Sequence, residues 1–560
     1  MRLLERGAVP LADGSTRFTV WAPKARLVEL ALERDGKTEL HPLAAGSGGV
    51  HGATVRRVPA GSDYSYRLDG GPDRPDPVSR WRPRGVHGPT RIVDPAAFQW
   101  SDAGWRGVET SDLAIYELHV GTFTPAGTFD GVIERLPALR ELGVTAVEIM
   151  PVAEFPGGRN WGYDGVSLYA VKSTYGGPNG LKRLADAAHR AGLAVLLDVV
   201  YNHLGPEGNY LGEFGPYFSD RYRTAWGEGF NLDGPDSDEV RRYLVDNAVY
   251  WVTEYHLDGL RLDAADRIVD LSPVHLAEEI GEAVHAQGEA LSRRALVIAE
   301  IDANDPRWVR GREVGGYGLD AHWSDDFHHA VHAALTGERT GYYADFDHPG
   351  AVAKALGERY VNDGRYSPHR RRRHGRPAVD VPADRFVVCI QNHDQTGNRA
   401  RGERLAALVP PEALRLAAAI LLLSPYVPLL FMGEEYGETN PFLYFVSHGD
   451  PALAEAVRQG RRREFETFAG DVPDPQAEAT FEASRPGWER AEAPAGVRLR
   501  ALYRDLLRLR RSEAALRPGA AEVRVRGDQA VPWVAVRYER EGEVLEGIFN
   551  LSGELRVVAP

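Results

Sequence analysis

From about residue 110 to residue 440 the chain repeats one pattern: a short apolar run, then a helix-length amphipathic stretch. The runs fall at 113–116, 144–149, 194–200, 259–263, 296–300, 386–390 and 428–432, and a weaker one fits at 319–323. Helical stretches lie between them, at 132–142, 180–191, 237–255 and 411–423 among others. Strands that are apolar along nearly their whole length and alternate with helices belong in a parallel sheet with helices covering it. Eight such units predict an α/β fold, a (β/α)8 TIM barrel with insertions. We place it at 106–515, with an insertion at 204–236 after the third strand.

The flanks follow a different period. Residues 1–105 alternate as strands do, for example in Arg17-Phe18-Thr19-Val20-Trp21, and predict an all-β unit. Six prolines from Pro72 to Pro95 mark a linker, which Trp81, Ile92 and Val93 anchor to a neighbour. After a helix at 497–512 the chain turns at Pro518-Gly519. Strand-like runs at 521–525, 531–538 and 544–550 then predict a small β domain over 516–560.

Charge and composition exclude several classes. A net charge of −14 argues against a nucleic-acid partner, because phosphate neutralisation needs clustered Lys and Arg. The basic run His369-Arg370-Arg371-Arg372-Arg373-His374-Gly375-Arg376 reads as a solvated loop, with an anion-contacting loop as the alternative. One cysteine, Cys389, cannot form an intrachain disulfide and reads as a small buried hydrophobe. The first residues carry Arg2, Glu5 and Arg6 and no apolar core of signal-peptide length. The longest uncharged stretch, 416–433, is interrupted by Pro425 and Pro428, so it reads as a buried helix and strand rather than a membrane span. The expectation is a cytoplasmic protein without a membrane or nucleic-acid partner.

In a barrel of this kind the site lies at the C-terminal ends of the strands. Asp198, Asp263, Glu300 and Asp394 stand there. Residues i and i+2 share a strand face, so Arg261 and Asp263 point the same way while Leu260 and Leu262 face the helices. An arginine beside a carboxylate keeps it ionised, as a nucleophile requires. Glu300 lies between Ala299 and Ile301 with no cation beside it in sequence, which suits a protonated general acid. One ionised and one proton-carrying carboxyl are what glycosidic cleavage needs.

Four motifs in order resemble those of the α-amylase family, glycoside hydrolase family thirteen. They are Asp198-Val199-Val200-Tyr201-Asn202-His203, Gly259-Leu260-Arg261-Leu262-Asp263-Ala264, Ala299-Glu300 and Gln391-Asn392-His393-Asp394. The resemblance implies a retaining mechanism with Asp263 as nucleophile, Glu300 as general acid/base and Asp394 as a third carboxylate gripping sugar hydroxyls. It implies that Arg261, His203 and His393 surround the same sugar and that Asp198 supports Arg261. Trp161-Gly162-Tyr163-Asp164 resembles the stretch whose tyrosine, here Tyr163, stacks under that sugar, with Trp161 beside it.

Further segments resemble the trehalose-releasing branch of the family: Leu319 to Ala330, Asn304-Asp305-Pro306-Arg307 and Met432-Gly433-Glu434-Glu435-Tyr436-Gly437. They add Asp326 and Glu434 as substrate-binding residues. That resemblance implies malto-oligosyltrehalose as substrate, cut at the α-1,4 bond next to its terminal trehalose. It also implies malto-oligosyltrehalose synthase as pathway partner. Trp21-Ala22-Pro23 and Pro75-Asp76-Pro77 resemble the N-terminal β-sandwich, a carbohydrate-binding module, of this branch and of glycogen branching enzymes. The stretch Asp263-Ala264-Ala265-Asp266-Arg267 departs from the family, which often has Lys or His shortly after the nucleophile.

No metal or other cofactor is expected. His328, His329 and His332 read as structural, and the acids of the insertion, such as Glu207 and Asp233, form no calcium-loop pattern. Trp161, Tyr210, Phe214, Tyr217, Phe218, Tyr222 and Trp226 are candidates for stacking on sugar faces. A glycogen branching enzyme or an α-amylase is the alternative reading, and a non-catalytic glucan-binding protein is a third.

Overall fold

The computed structural model describes residues 5–34, 36–348, 350–466, 471–527 and 532–553. Eight parallel strands close into a barrel in chain order: β1 (Ile115–Leu118), β2 (Ala146–Ile149), β3 (Ala194–Val199), β4 (Gly259–Leu262), β5 (Leu296–Ala299), β6 (Ala321–Trp323), β7 (Phe386–Cys389) and β8 (Val427–Phe431). Register pairs Ile115 with Leu429 and so closes the cylinder without an edge. Among the surrounding helices are α1 (Leu136–Leu142), α2 (Gly177–Ala191), α3 (Ser237–Glu254), α4 (Leu276–Ala290), α5 (Asp325–Thr336), α6 (Pro411–Leu422), α7 (Pro451–Glu464) and α8 (Pro494–Ser512). The weak eighth run at 319–323 is weak because β6 has only three residues. The link from β5 to β6 carries two single 3₁₀ turns, Pro306–Trp308 and Arg312–Val314, in place of a long helix.

The barrel interior changes character along its axis. Ile115, Ala146, Leu196, Ile298 and Leu429 fill the lower interior with Cys389 among them, all buried. Two residues further toward the C-terminal ends the same strand faces carry Glu117, Glu148, Asp198 and Arg261, also buried. Register sets Glu117 beside Glu148 and Asp198 beside Arg261. Asp198 pairs with Arg261 in this layer, while burial and the adjacent Glu117 push the Glu148 carboxyl well above the usual carboxylate range and favour its neutral form; the layer is the floor of the site.

The N-terminal unit holds two antiparallel sheets. One runs Gly7–Pro10, Ser15–Trp21, Val50–Arg56 and Ala44–Ala45; the other is built on Val28–Arg34, with Lys37–Pro42 and Asp63–Leu68 beside it. The proline-rich linker straps this unit to the barrel. The Tyr64 hydroxyl donates to Asp76 at 2.6 Å, and Arg82 donates to the Ser167 hydroxyl at 2.6 Å. Three antiparallel strands, Glu522–Gly527, Trp533–Arg540 and Glu543–Asn550, follow α8. Val531, where the second of them was expected to start, lies outside the described residues, as do 1–4 and 554–560 of the expected terminal units. Among the described residues no helix is long and apolar enough to cross a membrane.

Candidate active site

Arg261 organises the mouth of the barrel. Its side chain is fully buried and lies over the Trp323 ring at 4.3 Å. One terminal nitrogen donates to Asp198 Oδ2 at 2.8 Å and to Asp263 Oδ1 at 2.9 Å; the other is 2.8 Å from Glu300 Oε2. Glu300 therefore does have a cation beside it, contrary to the sequence expectation. The contact crosses between neighbouring strands, which sequence adjacency does not display. Burial nevertheless pushes the Glu300 carboxyl well above the usual carboxylate range; Arg261 opposes this, and Asp263 and Asp394 add to it. Burial likewise pushes Asp198 up to about 6, against the pull of Arg261.

The loop after β4 is tied to the same acid. The Ala264 amide donates to Glu300 Oε2 at 2.6 Å, and the Ala265 amide to the Glu300 carbonyl at 2.8 Å. Ala264 reaches this position with φ +37°, in the left-handed region that costs a residue with a Cβ of order 1 kcal/mol or more. Asn202 supports Asp263 from the other side, its amide donating to Oδ2 at 2.8 Å.

A second chain of contacts runs through His393. Glu117 holds its ring at Nδ1 and accepts from its amide at 2.9 Å. Burial opposes a charge on this imidazole, but Asp394 and Glu117 push it up to about 10, so it is an imidazolium. Its Nε2 is 2.7 Å from the Tyr163 hydroxyl, which in turn donates to Asp198 Oδ2 at 2.6 Å. The Tyr163 and His393 rings stack at 5.4 Å. Glu117 and Asn202 are residues that the sequence reading did not select; extending the strand period of the 113–116 run by one residue is the signal that would have found Glu117.

Above this floor opens a cleft of about 620 Å³, lined by Asp263, Glu300, Asp394, Trp161, Tyr163, His203 and Trp226 among others. Trp226 projects from the tip of the hairpin Phe218–Arg223/Glu228–Phe230, 53% exposed and stacked on His203 at 5.4 Å. The residues 444–464, with α7, supply another wall through Tyr444, Leu453 and Arg461. Trp161 is almost fully buried, its indole donating to the Leu443 carbonyl at 2.9 Å. Two of the other insertion aromatics turn inward, Phe214 meeting Tyr66 and Tyr217 meeting Trp21 under the N-terminal sheets, while Tyr210, Phe218 and Tyr222 stay partly exposed.

Four expected substrate contacts lie outside the cleft lining: Arg261 and His393 are fully buried beneath it, and Asp326 and Glu434 are engaged elsewhere. Asp326 is buried, and its Oδ2 accepts from the amides of Val361 and Asn362, each at 2.7 Å, and from Asn304 at 3.0 Å. Glu434 is buried beneath α8 and accepts from the Tyr503 hydroxyl at 3.0 Å; burial raises its carboxyl to about 8. Both hold loops in place. Two of the three histidines of α5 are engaged by neighbours, His328 Nδ1 with the Ile390 carbonyl at 2.8 Å and His332 with Glu338 at 2.9 Å. Among the described residues no group of three or more His, Cys, Asp or Glu could hold a metal ion. In the basic run, Arg370 is not free: it donates to Asp302 Oδ2 at 2.7 Å.

Comparison with known proteins agrees with this geometry. Residues 93–224 match the family model for the α-amylase catalytic domain, and residues 5–84 that for carbohydrate-binding module 48, the isoamylase N-terminal domain. The malto-oligosyltrehalose trehalohydrolase of Saccharolobus solfataricus is 49% identical over 89% of this chain and 85% of its own length. That of Arthrobacter ramosus is 50% identical over 88% and 87%. A 1,4-alpha-glucan branching enzyme of Corynebacterium jeikeium is more distant, 31% identical over 77% and 62%. The crystal structure of a putative alpha amylase from Salmonella typhimurium superimposes with a TM-score of 0.92 at 41% identity, covering 100% of this chain and 96% of that one. The chain belongs to the malto-oligosyltrehalose trehalohydrolase family, which joins a carbohydrate-binding module 48 to an α-amylase catalytic barrel.

Proposed function

We propose that the protein is a retaining glycosidase that hydrolyses the α-1,4 bond next to the terminal trehalose of malto-oligosyltrehalose. The products are trehalose and a shortened malto-oligosaccharide. The observation that carries the chemistry is the single guanidinium of Arg261 in contact with both Asp263 and Glu300. Two carboxyls bridged by one side chain are close neighbours, in keeping with the ~5–5.5 Å separation of retaining enzymes. Asp263, tied to Arg261 and Asn202, attacks the anomeric carbon. Glu300 holds the proton that the leaving oxygen takes; as a carboxylate it then draws a proton from the water that frees the sugar.

Asp394 and the His393 imidazolium face the same sugar, Tyr163 stacks beneath it, and His203 and Trp161 complete its surroundings. Asp198 orients Arg261. The substrate preference rests on the trehalohydrolase relatives. The capped substrate comes from an enzyme that converts a reducing end into trehalose, so we assign a malto-oligosyltrehalose synthase as pathway partner. Cytoplasmic placement fits such soluble glucans. We take 1–105, 106–515 and 516–560 as the three units of the chain.

The test is product analysis on a malto-oligosyltrehalose and on maltoheptaose. Free trehalose from the first, with the α-anomer of the new reducing end formed first, supports the reading. New α-1,6 branches would make it a branching enzyme instead, and a failure to cleave either glucan would leave a binding protein.

A further inference from the structure

Asp325 opens α5 directly beyond β6, and so stands between the β5 end that carries Glu300 and the β7 end that carries Asp394. It is partly exposed. Among the described residues its carboxylate makes no hydrogen bond or ion pair, whereas the adjoining Asp326 accepts three. Burial, with repulsion from Asp302 and Asp394, pushes the Asp325 carboxyl up to about 7. A second unpaired group lies on the same helix face one turn on. His329 is only 6% exposed, its ring 4.4 Å from that of Tyr342, and its Nε2 has no partner among the described residues. The Tyr342 hydroxyl donates to Gln395 Oε1, next to Asp394, at 3.3 Å. Polar groups buried in native proteins are normally partnered, so the buried His329 Nε2, one turn from an Asp325 that stands beyond β6 between the Glu300 and Asp394 strand ends, calls for a partner outside the chain.

The side of the cleft follows from the acid. Glu300 protonates the leaving oxygen, so the leaving group sits against Glu300 and the loop beyond it. Asp302 is on that loop, its amide donating to Asp266 Oδ2 at 3.3 Å, and Asp302 is one of the charges that Asp325 feels.

We propose that Asp325 accepts a hydrogen bond from a hydroxyl of the departing trehalose unit and so selects trehalose-capped chains. This rests on the function proposed above. A site built to pair a substrate hydroxyl discriminates against ligands that do not present it.

The experiment compares wild type, Asp325→Ala and Asp325→Asn on a malto-oligosyltrehalose and on a malto-oligosaccharide of equal length. At a pH above about 7, where Asp325 is ionised, Asp325→Ala should lower kcat/KM on the capped chain by about 10- to 100-fold, the worth of one hydrogen bond to a charged group. The uncapped chain should change by less than about threefold. Asp325→Asn keeps an accepting oxygen and should fall between. Inhibition by free trehalose should weaken in step, a binding readout that holds even if turnover is poor. Equal losses on both substrates, unchanged selectivity, or unchanged inhibition by trehalose in the folded Asn variant would overturn the assignment. A wild type with no preference for capped chains would overturn the proposed function as well.

Discussion

Replacing Arg261 by Met tests whether one guanidinium sets the charge state of the whole site. Methionine fills the space of the stem but leaves Asp198, Asp263 and Glu300 without their shared cation. Breaking a buried ion pair by removing one partner costs about 3–5 kcal/mol, and here a single cation serves three carboxylates. The cost depends on pH. Without the cation, burial and mutual repulsion raise Asp198 and Glu300 further in the folded protein, while in the unfolded chain they titrate near ~4. A carboxyl whose folded pKa is raised binds more protons in the native state, so its stability contribution is lost as pH rises above that unfolded value. The variant should therefore melt below wild type by a margin that is small at pH 5 and grows to pH 8. Turnover moves in a related way. The attacking carboxylate of Asp263 loses the cation 2.9 Å away, so the acid limb of the kcat/KM profile should shift to higher pH in the variant. Arg261→Lys restores a charge but not a planar fork that reaches three partners, and should recover activity only in part. Thermal melts at the two pH values and a pH–rate profile decide the matter. A melting penalty equal at both pH values, or an acid limb that stays in place, would refute the reasoning.

Asp263→Asn should abolish turnover, by several orders of magnitude, while the dissociation constant for a trehalose-capped chain stays within a few-fold of wild type, measured by calorimetry. Glu300→Gln should cost about 10²–10⁴ on the natural substrate, the span of general acid catalysis, and far less on a maltosyl fluoride, whose leaving group needs no proton. The comparison of the two donors reads the acid role directly. Dialysis against a chelator should leave activity unchanged; a loss restored by calcium would show that the insertion holds a metal after all.

Much of the fold was legible because strand and helix periods are local properties. The run at 194–200 could only be a buried strand, and β3 spans Ala194–Val199. The acids at strand ends were legible for a related reason: the two-residue strand period puts Arg261 and Asp263 on one face, and they meet at 2.9 Å. What stayed hidden depends on contacts between distant segments. Arg261 reaches Glu300 across a strand boundary, so reading the neighbours of Glu300 in sequence found no cation. Glu434 stands just past a barrel strand, where acids are often functional, yet Tyr503 on α8 captures it from 69 residues away.

Asp325 and Asp326 show the same limit at the scale of one residue. Successive helix positions are turned by about 100°, so two adjacent aspartates at the start of α5 cannot share surroundings. The backbone at 361–362 and Asn304 converge on one of them, and its three hydrogen bonds fix the β6–β7 excursion against the helix. That leaves its neighbour beyond the end of β6 with no hydrogen-bonding partner among the described residues. A motif containing both acids identifies the segment, but only the loop packed behind it decides which acid is structural and which is left for the sugar. The residues that discriminate between related glucans are accordingly to be sought where a motif acid lacks a protein partner, not merely where a motif is present.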